Sequence, residues 1–100
     1  MLIVAGTIQI DPAKRSEIEV AFDRMRDATL QEPGCLEYQA YLDRKDAGTI
    51  LIFERWTSEE ALQGHFASPH MAEFGAALAK AGIRGSDVKK YEVTRESQMM

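Results

Sequence analysis

The chain has 100 residues, of which 45% are hydrophobic and 28% charged, so we expect one folded domain with a small core. The net charge is −4 and no basic stretch is present, which argues against a nucleic-acid partner. No apolar run approaches the roughly 20 residues that span a bilayer, and a single cysteine allows no internal disulfide. We therefore expect a cytoplasmic protein without a membrane partner.

The first predicted strand covers residues 2–10, and both of its faces are largely apolar. We expect Val4 to lie on the face that points away from the helices. Asp11-Pro12 predicts the start of a helix, because aspartate is a good N-cap and proline fits the first helical position. Glu32-Pro33-Gly34 should end this helix near Gln31, since proline and glycine both interrupt helices.

Two further strands follow, over residues 35–43 and 50–56. The first alternates in polarity and includes Cys35, which we interpret as a small buried hydrophobe. The turn former Asp46-Ala47-Gly48 lies between them, so the two strands should be antiparallel neighbours. The second is β-branched, aliphatic and aromatic for most of its length, which is typical of a central strand with two buried faces.

The next segment is predicted to be helical in two parts. Thr57 and Glu60 have the spacing of a capping box and predict a helix over residues 58–67. Ser68-Pro69 predicts a new helical start, with serine as cap, and this segment should run to about Ala81.

The end of the chain is predicted to hold one more strand. Gly82 and Gly85 bracket an expected short link, and residues 88–95 read as the last strand. We expect a domain over residues 1–96 and a frayed tail over residues 97–100.

The element order βαββαβ predicts an α+β, ferredoxin-like fold with a four-stranded antiparallel sheet. Its first and third strands would be central, and its helices would cover one face. The other face would then be an exposed apolar patch larger than a soluble monomer usually carries. The pattern therefore predicts a homodimer that pairs sheet against sheet.

A specific motif runs from the third strand into the second helical segment. It reads Glu54-x-Trp56-x-Ser58-x-x-x-Leu62-x-x-His65-x-x-x-Pro69-His70-Met71, with Pro33-Gly34-Cys35 upstream. This motif resembles the antibiotic biosynthesis monooxygenase (ABM) family, and within it the small quinol monooxygenases. The resemblance implies a dimeric α+β barrel with a cavity between each sheet and its helices. It also implies oxidation of phenolic or quinol substrates by O2 without metal, flavin or heme, so no cofactor is expected.

Heme-degrading members of the same family provide a contrast. Alignment with them places Thr7, His65 and Gly75 at the positions of their strand asparagine, helix tryptophan and heme-ligating histidine. None of the three heme-site residues is kept, so heme binding is not expected. The alignment also implies that Thr7 and His65 line the cavity.

His65 is the candidate catalytic base. An ordinary histidine has a pKa near 6.5, which suits proton abstraction from a phenol at neutral pH. The substrate anion could then pass an electron to O2. An equally supported interpretation is a partly buried histidine that bonds a carbonyl or Glu54 and serves only the fold.

Six other residues are candidates for substrate binding: Thr7, Tyr38, Glu54, Trp56, His70 and Phe74. Trp56 could stack on an aromatic ring, although core packing is the commoner role. Glu54 occupies a buried strand position and needs a partner there, either Arg55 of a second subunit or a histidine. Tyr38 and Phe74 are possible cavity walls.

The polar candidates each have a plainer interpretation as well. Thr7 could position a hydroxyl or simply favour the strand. His70 could equally be a surface residue in the first turn of its helix. His65 and His70 are five residues apart across a helix break, a poor spacing for a shared metal, so no metal site is expected.

Three functions remain open from the sequence. The first is a cofactor-independent monooxygenase that uses O2 and an aromatic substrate. The second is an isomerase of a small molecule in which His65 shuttles a proton, and the third is a dimer that binds a ligand without chemistry.

Overall fold

The computed structural model describes residues 1–100 and contains four strands and three α-helices. In chain order these are β1 (Leu2–Ile10), α1 (Arg15–Thr29), β2 (Cys35–Leu42), β3 (Thr49–Trp56), α2 (Glu59–Phe66), α3 (Pro69–Ala81) and β4 (Ile83–Glu92). The strands form one antiparallel sheet in the order β2-β3-β1-β4. The predicted ferredoxin-like α+β fold is confirmed, with β1 and β3 at the centre.

The helices pack on the sheet face that carries the even-numbered residues of β1 and β3. Ile8, Ile10, Ile50 and Ile52 belong to a ten-residue core beneath α1 and α3. A second, smaller cluster joins Val4 to Leu2, Trp56 and Leu62 beneath α2. The expectation that Val4 points away from the helices is therefore wrong, because its side chain is packed beside Trp56 and only 8% exposed.

The opposite sheet face is open and largely apolar. The register pairs Ile3 with Arg55, Ala5 with Phe53 and Thr7 with Leu51, so these odd-numbered residues share the uncovered face. Leu51 is 41% exposed there. The chain thus presents the apolar face on which the predicted homodimer depends, and the dimer itself remains a prediction.

Two helix starts differ in detail from expectation. The cap of α2 is Ser58, whose hydroxyl accepts a hydrogen bond from the Ala61 amide at 3.1 Å, rather than Thr57. The cap of α3 is Ser68, as predicted. Asp11 does cap the segment that follows β1, but the segment opens as a 3₁₀ turn over Pro12–Lys14 before α1 begins.

The last strand begins earlier than predicted. Gly82 ends α3 with a positive φ of 82°, and its amide donates to the Leu78 carbonyl at 3.0 Å. The chain then enters β4 directly, so the expected link between Gly82 and Gly85 is part of the strand. This edge strand is exposed along most of its length, and its sequence therefore lacks the alternation that marks a half-buried strand. None of the helices has the length and apolar character required to cross a bilayer.

Candidate functional site

His65 lies in the last turn of α2 with its imidazole buried against the sheet. The side chain is only 2% exposed. Leu62, one turn earlier, packs into the cluster around Trp56, and this contact turns the same face of α2 inward. The His65 ring centroid lies 4.9 Å from that of Trp56 and 5.8 Å from that of Tyr38. Two aromatic rings therefore fix the position of the imidazole.

Glu32 holds the imidazole through one ring nitrogen. Its Oε2 lies 2.8 Å from His65 Nδ1. Since an ionised carboxylate can only accept, the neutral ring carries its proton on Nδ1, and Nε2 is the basic nitrogen. The hydrogen bond of the ring is the one at Nδ1, so Nε2 is not engaged by Glu32. This arrangement leaves His65 oriented and able to accept a proton.

The turn after α1 positions Glu32 beside His65. The Glu32 amide donates to the Thr29 carbonyl at 2.9 Å, and the Cys35 amide donates to the Glu32 carbonyl at 3.3 Å. Gly34 takes a positive φ of 83°, where a Cβ atom would lie 2.5 Å from Cβ of Ala61. Glycine is thus required for the turn to approach α2.

His70 approaches the same carboxylate from the start of α3. Its Nε2 lies 3.0 Å from Glu32 Oε1, but without the alignment of a hydrogen bond, so this buried nitrogen has no hydrogen-bond partner. The expectation that His65 and His70 are too poorly spaced to share a metal is therefore wrong. The break between α2 and α3 brings both imidazoles to one carboxylate, with donor atoms within 4.8 Å of one another.

The burial of His65 favours its neutral form. Desolvation lowers its pKa, and the hydrogen bond and charge of Glu32 act in the opposite direction without cancelling that effect. A neutral imidazole is the form that can accept a proton or bind a metal ion.

Glu54 is a second buried acid-base group close to the imidazole. Its side chain is 7% exposed, and the Trp56 indole N–H donates to its Oε1 at 3.0 Å. Burial raises the pKa of Glu54 to about 7; the Trp56 hydrogen bond lowers it and the charge of Glu32 raises it. The partner within the chain is thus an indole rather than a histidine. Arg55 of the same chain lies on the other sheet face and pairs with Glu37 at 2.8 Å.

Two other ionisable groups nearby stay protonated at neutral pH. Burial, reinforced by the charge of Glu54, raises the pKa of the Tyr38 phenol. Burial and the charge of Glu32 raise the pKa of the Cys35 thiol to about 11. Neither side chain is therefore suited to act as a base at neutral pH.

A cleft of about 480 Å³ opens beside His65. The turn at 32–34 forms one wall, and the other is formed by Thr57, Ser58, Glu60, Ala61 and Gly64. Its lining residues include Glu32 and Glu60. The volume lies within the usual range of about 300–1,000 Å³ for small-molecule sites.

Comparison with known proteins places this chain in a family. The sequence pattern of the antibiotic biosynthesis monooxygenases matches residues 1–77. The chain belongs to this family. Rv0793 of Mycobacterium tuberculosis, which carries the provisional name of a monooxygenase, is 35% identical over 69% of this chain and 67% of its own length. A Synechocystis protein without assigned function is 29% identical over 92% of this chain, and the match covers only 63% of the Synechocystis protein.

Solved structures of similar proteins agree with the fold. A crystal structure from Deinococcus radiodurans, described as an antibiotic biosynthesis monooxygenase on a provisional basis, superposes with a TM-score of 0.92 at 27% identity. The superposition covers 100% of this chain and 99% of the other. The structure of Rv0793 gives a TM-score of 0.85 at 29% identity, with 97% and 98% covered.

The space beneath α1 and α3, where the ABM resemblance implied a cavity, holds part of the core, and a pocket of about 320 Å³ opens between α1 and the strands β2 and β3. Phe22, Met25 and Phe74 pack there with the isoleucines of the central strands. The Phe22 and Phe74 ring centroids are 4.7 Å apart. Phe74 and His70 instead line a separate groove of about 290 Å³ between α1 and α3. Of the predicted site residues, His65 alone lines the 480 Å³ cleft.

Thr7 does not accompany His65. It pairs with Leu51 on the open sheet face and lines a pocket of about 460 Å³ there with Tyr41. The expectation that Thr7 and His65 share one cavity is therefore wrong, because the sheet separates them. Trp56, Tyr38 and His70 surround the His65 ring, with the His70 ring centroid at 6.0 Å.

Glu32 is the site residue that sequence reasoning missed. The sequence pattern indicates only that the helix stops at this residue. Its contact with His65 joins positions 33 residues apart, and periodicity carries no information about such pairs. The one available signal is its place beside Pro33-Gly34-Cys35, which belongs to the motif shared with ABM proteins.

Proposed function

We propose that this ABM protein is a cofactor-independent monooxygenase that oxidises a quinol or phenolic substrate with O2. The observation that carries the proposal is the buried, neutral His65, oriented by Glu32 at 2.8 Å and placed at the wall of a ligand-sized cleft. A phenolic hydroxyl has a pKa near 10 and needs a base before it becomes an electron donor. His65 supplies that base.

The proposed reaction begins with proton transfer from the substrate hydroxyl to His65 Nε2. The imidazolium that forms is stabilised by the Glu32 carboxylate, as the acidic member of a catalytic triad stabilises its histidine. The substrate anion then passes one electron to O2, and the two radicals combine. One oxygen atom enters the product and the other leaves as water, with all electrons drawn from the quinol, which becomes a hydroxyquinone.

The aromatic surroundings of His65 suit this chemistry. Trp56 and Tyr38 exclude water from one side of the imidazole. Without water, forming the imidazolium costs free energy unless the negative charge of Glu32 compensates the new positive charge. Glu32 therefore acts as a positioning residue, and its loss should lower turnover even though it need not touch the substrate.

We also propose that the protein is a homodimer in which the open sheet faces pack together. The uncovered apolar residues, Ile3, Ala5, Leu51 and Phe53, support this proposal. The partly exposed pair Arg55–Glu37 on the same face could form the polar rim of such an interface.

An isomerase is the second candidate, and Glu54 is the observation that favours it. An enolisation needs two groups that exchange protons, and Glu54, with a pKa of about 7, lies next to the Trp56 ring that His65 also contacts. Such a reaction would proceed without oxygen.

Turnover of a panel of hydroquinones, catechols and phenols, measured with an oxygen electrode and repeated under nitrogen, tests the proposal. We expect oxygen-dependent turnover that His65→Ala lowers by roughly 10²- to 10⁴-fold with little change in substrate affinity. Gly75→Ala is the control, since it lies exposed on α3 where an added Cβ meets nothing within 4 Å. Equal rates under nitrogen would favour the isomerase, and undiminished turnover by folded His65→Ala would contradict the role of His65.

A further inference from the structure

Three potential metal ligands converge beside the cleft from three separate segments. Glu32 comes from the turn after α1, His65 from the end of α2 and His70 from the first turn of α3. Glu32 Oε2 lies 2.8 Å from His65 Nδ1, and Glu32 Oε1 lies 3.0 Å from His70 Nε2. All donor atoms lie within 4.8 Å of one another. One carboxylate thus presents an oxygen to each of two imidazoles.

The break between the helices fixes this convergence. The Ser68 hydroxyl donates to the His65 carbonyl at 2.7 Å and accepts from the Met71 amide at 3.3 Å. It therefore joins the end of α2 to the start of α3. This junction holds His65 and His70 on the same side, although their separation in sequence would place them on different faces of a continuous helix.

The unpartnered nitrogen of His70 points to a missing ligand. Nε2 is buried and has no hydrogen-bond partner, a state that folded proteins usually avoid. Glu32 Oε1 is close to it without the alignment that a hydrogen bond needs. A metal ion between the two atoms would satisfy both, because it accepts lone pairs from nitrogen and oxygen alike.

The donor set suits a divalent transition-metal ion, of which zinc is one. Two imidazole nitrogens and one carboxylate form the ligand set of open zinc sites, whose fourth position is left for water or another ligand. Hard ions such as Mg²⁺ and Ca²⁺ prefer sets made of oxygen. The cleft beside His65 provides access for the ion and room for a fourth ligand.

We propose that Glu32, His65 and His70 form a Zn²⁺ binding site, and that bound zinc prevents His65 from acting as the proposed base. A zinc ion on His65 Nδ1 leaves the remaining ring proton on Nε2, and this nitrogen can then no longer accept a proton. The ion would be an inhibitor of the reaction rather than its cofactor. The inhibitory effect rests on the proposed function, whereas the site itself does not.

Zinc binding to the full-length protein is the test, and it needs no substrate. The protein is dialysed against EDTA, transferred to chelator-free buffer and titrated with Zn²⁺ in competition with a chromogenic chelator. We expect one zinc per chain, with affinity lowered at least about tenfold in Glu32→Gln and in His70→Gln, as is usual when a group that supports a metal is lost. His70→Gln is the safer variant, since its side chain is partly exposed.

Two controls make the result specific. Glu60→Gln changes a carboxylate of the same cleft that does not belong to the three ligands, and Cys35→Ser removes the one thiol. Both should bind zinc as the parent does. The proposal would be overturned if the parent did not bind zinc stoichiometrically. It would also be overturned if both Glu32→Gln and His70→Gln bound zinc as tightly as the parent. Loss of binding in Cys35→Ser would do so as well, by moving the site to the thiol.

Discussion

Replacing Glu54 with glutamine should change how the stability of the protein depends on pH. The ordinary carboxyl pKa of 4.5 is raised to about 7 in the folded protein, chiefly by burial. The folded state therefore keeps this proton to a higher pH than the unfolded state does. Its stabilising effect is complete below pH 4.5 and is lost as the pH rises through about 7.

The magnitude follows from the shift in pKa. A change from 4.5 to about 7 at roughly 1.4 kcal/mol per unit makes the parent lose about 3 kcal/mol across this interval. Glu54→Gln removes the titration, and its amide oxygen can still accept the hydrogen bond from Trp56. We compare the free energy of unfolding of the variant with that of the parent at each pH. We expect this difference to be about 3 kcal/mol more favourable to the variant at pH 8 than at pH 4.5.

Urea unfolding followed by the fluorescence of Trp56, the one tryptophan, measures this difference at a fixed protein concentration. The buried, neutral His65 acts in the opposite direction, because the unfolded state gains its proton as the pH falls below 6.5. That effect is common to both proteins and cancels in the comparison. Glu60→Gln is the control, since it removes an exposed carboxylate nearby. A difference between Glu54→Gln and the parent that stays constant from pH 4.5 to 8 would refute the reasoning.

Two further predictions concern the interface and a helix cap. Phe53→Lys, on the open sheet face, should give a folded monomer in sedimentation experiments, whereas Val4→Lys, beneath α2, should unfold the chain; a Phe53→Lys protein that remains dimeric would exclude this face as the interface. Ser58→Ala should lower the free energy of unfolding by about 0.5–2 kcal/mol through loss of the bond to the Ala61 amide. Thr57→Ala, the matched change one residue earlier, should lower the free energy of unfolding by less. A larger loss in Thr57→Ala than in Ser58→Ala would indicate that Thr57 is the cap.

Much of the fold could be predicted because its signals are local. The strands at Leu2–Ile10 and Thr49–Trp56 alternate or run apolar, and Ser68-Pro69 marks a helix start whatever surrounds it. The start of β4 could not be predicted in this way. Its backbone pairs with β1 while its side chains remain exposed, so hydrogen bonding rather than burial determines its length.

The site was predictable only in part. His65 could be named as a candidate base because it is the one titratable residue on an otherwise apolar face of its helix. Its partner Glu32 and the approach of His70 depend on how three segments meet in space, which a one-dimensional pattern does not encode. Thr7 was misplaced for a related reason: both faces of β1 are largely apolar, so alternation along the strand does not show which face the helices cover.

The pH dependence of turnover in the parent and in His65→Ala tests the central claim most directly. If His65 is the base, activity should fall on the acid side with an apparent pKa below 6.5, because burial lowers the pKa of the imidazole. This acid limb should be absent from the residual activity of His65→Ala. An acid limb near pH 7 that persists in His65→Ala would contradict the claim and identify Glu54, whose pKa is about 7, as the proton acceptor.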